Sequence, residues 1–132
     1  MKKITLLVFA VAALMTFPTA VSAQNSEESE IKELVTKQIS NHTNQFQLDE
    51  IQEFFVDSIL WNNIPAMIEE YEAVKKTGAT IQESYQVVAD KWSDATDKAL
   101  EKVFTKEQWS KYLKSSFGKE KEKRDKRIAK RK

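Results

Sequence analysis

The 132-residue chain has no cysteine, one histidine, two glycines and two prolines. Without cysteine it forms no disulfide, holds no thiolate metal site and has no thiol nucleophile, so its stability must come from apolar packing. The single histidine, His42, has no second imidazole or thiol to share a transition metal with, and neither a metal nor another cofactor is expected. Scarce glycine and proline argue against a turn-rich β protein and for long helices. No glycine-rich phosphate loop, nucleophile elbow or Ser/Cys-His arrangement is present, which points away from an enzyme. The carboxylates of Glu69, Glu70 and Glu72, and of Asp90, Asp94 and Asp97, fall at helical spacings that put several on solvent-facing surfaces; with no cleft-forming loops evident to shift their pKa values, surface charge is the expectation for both groups.

What is present begins with Lys2 and Lys3, an apolar run over 4–17 and the tripeptide Val21-Ser22-Ala23. A basic start, an apolar stretch too short to span a bilayer and a small-x-small site are the pattern of a removable secretory signal. A mature chain from Gln24 and a periplasmic or secreted location are expected, with no lipid anchor because no cysteine follows the run. Removing 23 of 132 residues leaves 109, enough for one domain. Charge divides that remainder: residues 24–118 carry 10 basic and 17 acidic side chains, net −7, and residues 119–132 carry 9 and 3, net +6. The expected organisation is a signal peptide (1–23), a helical domain (24–118) and a basic charged tail (119–132).

Apolar spacing and capping residues predict four helices. The first covers 27–40, with Ile31, Leu34, Val35 and Ile39 on one face and Glu27, Glu28 and Glu30 where the helix dipole favours negative charge. The polar stretch 41–47 reads as a connection in which His42 is a solvent-exposed spacer. Asp49 caps a second helix, with Gln52 completing a capping box, and that helix continues to residue 76. Pro65 interrupts it, either as a kink over 62–65 or as a break into two helices. Gly78 suits a left-handed C-terminal cap. Thr80 and Glu83 form a capping box for the third helix, followed by Ile81, Tyr85, Val88, Trp92, Ala95, Ala99 and Val103 in steps of three and four. Thr105 and Gln108 start a fourth; Phe104 and Trp109 take the two positions of a hydrophobic staple, and Tyr112, Leu113 and Phe117 continue the stripe.

Leu60, Ile64, Met67, Tyr71 and Val74 step as the third helix's row does, so a short turn through Gly78 folds the two into an antiparallel hairpin. The register sets Val74 near Ile81, Tyr71 near Tyr85, Met67 near Val88, Ile64 near Trp92 and Leu60 near Ala95. The fold class that follows is all-α: a four-helix arrangement built on a long antiparallel helical hairpin, with a basic C-terminal tail.

Phe54, Phe55, Val56, Ile59, Leu60 and Trp61 spread apolar groups around most of the second helix, more than one packing partner can cover. Either this segment is central and sheathed by the other helices, or part of it is left for a second copy of the chain or an apolar partner. Phe54, Phe55 and Trp61 are the candidate partner surface.

The segments Leu48-Asp49-Glu50-Ile51-Gln52 and Phe104-Thr105-Lys106-Glu107-Gln108 share one construction and begin 56 residues apart. They resemble the paired LTxxQ motifs of the helical periplasmic proteins typified by the Spy chaperone and its CpxP relatives. Gln52, Thr105 and Gln108 match; Asp49 stands where the first motif has threonine, and Phe104 where the second has leucine. Size, leader and helical content are also similar. The resemblance implies a curved helical hairpin assembled as a homodimer, and ATP-independent holding of unfolded or stressed envelope proteins.

In the tail, Glu120 precedes Arg124 by four residues and Glu122 precedes Lys126 by four, spacings that support a helix. Lys123, Arg124, Lys126, Arg127, Lys130, Arg131 and Lys132 read either as a solvated extension or as an electrostatic contact for anionic clients, lipid headgroups or envelope polymers. Nucleic acid is not expected for an exported chain. Ile128 is the tail's only large apolar residue, so membrane insertion is not supported. A structural or regulatory module that recognises one folded partner or an anionic polymer is therefore the competing functional class.

Overall fold

The computed structural model describes residues 23–78 and 82–132. Among these residues the chain is all-α, with no strand: α1 (Ala23–Phe46), α2 (Glu50–Lys76), α3 (Gln82–Val103), α4 (Lys106–Lys114) and α5 (Ser116–Arg131). No described helix is long and apolar enough to cross a membrane. Residues 1–22 of the signal-like segment lie outside the described residues, as do Thr80 and Ile81 of the expected third capping box and register.

α2 and α3 form the antiparallel hairpin, and α1 packs on α2. The hairpin's turn follows from Gly78, whose φ of 75° is accessible to glycine without strain and whose N–H donates to the Lys75 carbonyl at 3.1 Å. Near the turn Tyr71 meets Tyr85 with ring centroids 5.8 Å apart, as the sequence spacing predicts. Farther along, Ala95 is exposed, and Thr96, Asp97 and Leu100 turn inward instead; Thr96 Oγ1 accepts from Asn63 Nδ2 at 2.8 Å. The reason is a second neighbour: α5 packs against α3, so two flanks of α3 are covered rather than one.

Pro65 lies inside an unbroken α2, which removes the alternative of two separate helices. The proline deprives the Trp61 carbonyl of its ladder partner, a local loss that the surrounding packing of Leu60, Ile64 and Ile68 outweighs.

α1 corrects the expected loop at 41–47. The helix runs on to Phe46 and ends at Gln47 in a left-handed conformation (φ 56°), with Leu48 N–H donating to the Thr43 carbonyl at 3.3 Å. His42, expected as an exposed spacer, is buried. Val35, Ile39, His42 and Phe46 step by four, three and four, so the apolar stripe continues once a neutral imidazole is counted as part of it. Around His42 stand the rings of Phe46, Phe104, Tyr112 and Phe117, at centroid distances of 5.8, 6.4, 6.0 and 4.8 Å. Tyr112 also stacks between Trp109 (4.9 Å) and Phe117 (5.4 Å). This aromatic nest, with Leu48, Val56, Leu60 and Leu100, is the core where α1, α2, α3 and α4 converge.

The fourth helix ends sooner than its apolar stripe suggests. Ser115 is extended (ψ 178°), its N–H donating to the Lys111 and Tyr112 carbonyls, and α5 starts at the next residue. The bend is tight enough that any side chain at Gly118 would collide with the Leu113 backbone, so glycine is required there for close approach. Leu113 is left exposed.

Candidate functional site

The two capping segments come together. Asp49 and Thr105 each accept from the backbone N–H three residues on (2.8 and 3.2 Å), and Gln52 and Gln108 each accept back from the cap's own N–H (3.0 and 2.9 Å), completing both capping boxes. The glutamine amides then reach across. Gln52 Nε2 donates to Gln108 Oε1 at 2.6 Å and to the Val103 carbonyl at 3.1 Å; Gln108 Nε2 donates to Gln52 Oε1 and to the Phe46 and Gln47 carbonyls, all at 3.2 Å. Leu48 and Phe104, one residue before each cap, are both buried. One side-chain pair thus satisfies the starts of α2 and α4 and the ends of α1 and α3. Gln108→Leu removes both amide bonds to Gln52, which keeps only the Asp49 N–H and the Val103 carbonyl, and leaves three backbone groups without partners; it is expected to destabilise the fold by about 2 kcal/mol in urea unfolding, against a few tenths for an exposed change such as Lys106→Gln.

This clasp fixes where α2 begins and therefore which of its residues face out. Gln52, Val56, Leu60, Asn63 and Ile64 turn inward. On the other side Ile51 is 70% exposed, Phe54 66%, Phe55 50% and Trp61 38%. The Phe54 and Phe55 rings meet edge to face at 5.8 Å, forming one continuous apolar surface over the first turns of α2. The alternative in which these residues are sheathed by neighbouring helices does not hold for the chain as a single copy. Ile51 belongs to the same surface; sequence reading passed over it because it sits inside the capping segment.

The basic segment takes up a different position from the solvated tail that its composition suggests. α5 lies along α3 and brings arginines to buried carboxylates. Asp97, 4% exposed, pairs with Arg124 and accepts from Tyr112 Oη at 2.5 Å. Asp90, 2% exposed, accepts from Arg127 (2.9 and 3.1 Å), Arg131 (2.8 Å) and Gln86 (3.0 Å). Asp90 and Asp97 are thus corrected from surface charge to buried counter-ions. A signal for this was in the sequence: carboxylates at 90 and 97, and arginines at 124 and 131, share a seven-residue spacing that matches when the helices run antiparallel. The lysines stay at the surface, with Lys126 3.4 Å from Glu122, Lys123 3.8 Å from Glu120, and Lys130 and Lys132 exposed.

Compared with known proteins, the chain matches no family model, no curated sequence and no solved structure.

The electrostatics of the core show what the arrangement can do chemically. Burial pushes His42 from its ordinary 6.5 down to about 4, so it is neutral at physiological pH. Burial, then the Asp90 carboxylate, pushes Tyr71 up to about 12, and burial also raises Tyr112. Burial alone would raise Asp90, but hydrogen bonds from Arg127, Arg131 and Gln86 hold it below its ordinary value. Each shift is away from neutrality, opposite to what a general acid or base at pH 7 requires. Among the described residues no cluster of three or more His, Cys, Asp or Glu side chains converges as a metal site.

Proposed function

We propose that this chain is a non-enzymatic envelope protein of the Spy-like kind, which holds partly unfolded proteins against the outer face of α2. The observation that carries the proposal is the exposure of Ile51, Phe54, Phe55 and Trp61 along one side of a helix whose opposite side is packed. The mutual clasp of the two motif-like segments supports the resemblance to LTxxQ proteins, because the glutamines they share act on each other rather than as independent caps. The envelope location rests on the basic-then-apolar pattern of residues 1–23. The same apolar face offers a surface for association of two copies, as the resemblance implies.

Binding of an anionic polymer through the C-terminal segment is the less favoured reading. All three of its arginines are already bound to Asp90 and Asp97, leaving exposed lysines, and exposed charges are strongly screened by salt. Deleting 119–132 does not separate the two functions, since it would also strip buried carboxylates of their partners.

The discriminating experiment is suppression of aggregation of a denatured envelope protein. Wild type is expected to suppress it at molar excess. Phe54→Ser with Phe55→Ser should lose at least about tenfold in potency with helical content unchanged, because two large apolar anchors are removed. Lys130→Gln with Lys132→Gln should retain potency. Failure of wild type to suppress, or full potency in the double serine variant, rejects the proposal.

A further inference from the structure

A pocket of about 150 Å³, open to solvent on the side of the exposed Asn41, enters the bundle between α1, α2, α3 and the junction of α4 with α5. Cores seldom leave voids of this size, and an apolar cavity of roughly the same volume in another protein is large enough to take benzene. Leu34, Leu60, Ile64 and Leu100 give this one a mostly apolar wall. Four wall residues, Trp92, His42, Asp97 and Arg124, break that character with a buried polar atom that makes no hydrogen bond, and the last two are ion-paired with each other. Trp92 Nε1 and His42 Nδ1 are buried and have no partner in the protein, and His42 is only 3% exposed. Buried polar atoms are almost always hydrogen-bonded, and an indole N–H can only donate.

The charges on the wall are paired and leave no net charge to hold an ionic ligand. Asp97 is closed by Arg124 and Tyr112, and Glu120 faces Lys123 at 3.8 Å. A charged guest would be desolvated without compensation, whereas a neutral ring would fill the volume. His42 fits the same picture, since burial keeps it uncharged at neutral pH.

We propose that this pocket is a binding site for a small neutral ring compound bearing a hydroxyl group, of the phenol class. The ring occupies the space bounded by Leu60, Ile64 and Leu100, and the hydroxyl oxygen accepts from Trp92 Nε1. α5 supplies one wall through Glu120 and Arg124, so the helix that neutralises α3 also lines the site. The site is on the inner side of α2, away from Phe54 and Phe55, and stands or falls separately from client holding.

The test is calorimetric titration and thermal unfolding of the full chain with phenol, benzene and benzoate. Phenol is expected to bind saturably and raise the unfolding temperature, benzene to bind about fivefold more weakly for want of one hydrogen bond, and benzoate not to bind. Trp92→Phe keeps the ring wall and removes the N–H, and should bring phenol down to the level of benzene. No saturable response to phenol or benzene, benzoate binding as well as phenol, or an undiminished preference for phenol in Trp92→Phe would overturn the proposal. If that variant does not fold, the wild-type ranking decides alone: phenol no tighter than benzene overturns it.

Discussion

Arg124→Ala should lower the free energy of unfolding by about 3–5 kcal/mol, because it leaves the Asp97 carboxylate buried without its counter-charge. The Tyr112 hydroxyl still donates to Asp97, but one neutral hydrogen bond does not replace a guanidinium. Arg127→Ala should lose much less, about 1 kcal/mol, since Arg127 is partly exposed and Asp90 keeps Arg131 and Gln86. Adding Asp97→Asn to Arg124→Met should recover most of the loss: no charge is then buried, and the amide oxygen still accepts from Tyr112. Urea unfolding at neutral pH measures all three. Equal, small losses for Arg124→Ala and Arg127→Ala would mean that α5 is not docked on α3.

Acidification should destabilise wild type more than a His42→Phe variant, by about 3 kcal/mol at pH 4. His42 titrates near 4 when folded and near 6.5 when unfolded, so the unfolded chain takes the proton first. Stability from the neutral imidazole is intact above 6.5, declines as pH falls, and is fully lost below about 4, where both states are protonated. The gap between those two values corresponds to that 3 kcal/mol. Carboxylates contribute acid loss to both proteins, so the difference between their pH–stability curves isolates the imidazole. Parallel curves would show that His42 is solvated, not enclosed by Phe46, Phe104, Tyr112 and Phe117.

These two residues also mark where sequence reading stopped. Helical spacing and caps are local, and they located α2, α3 and α4, both glutamine capping boxes and the turn at Gly78. The exposed rings of Phe54, Phe55 and Trp61 were legible as an excess of apolar groups around one helix, although only packing could decide that they stay outside. What spacing does not carry is the partner of a charged or titratable side chain. His42 reads as polar until four rings surround it, and Asp90 and Asp97 read as surface until α5 returns along α3. Residues 119–132 look like a tail by composition, yet Arg124 lies among the buried residues. The clasp between Gln52 and Gln108 was half visible: the motifs were evident, their contact was not, because it joins positions 56 residues apart.

Amide hydrogen exchange on the full chain, with and without a denatured client, tests the division between an apolar working face and a structural basic helix most directly. Client-dependent protection is expected over residues 50–62 at the start of α2, with exchange in α5 unchanged. Protection that appears along 116–131 and spares 50–62 would contradict it.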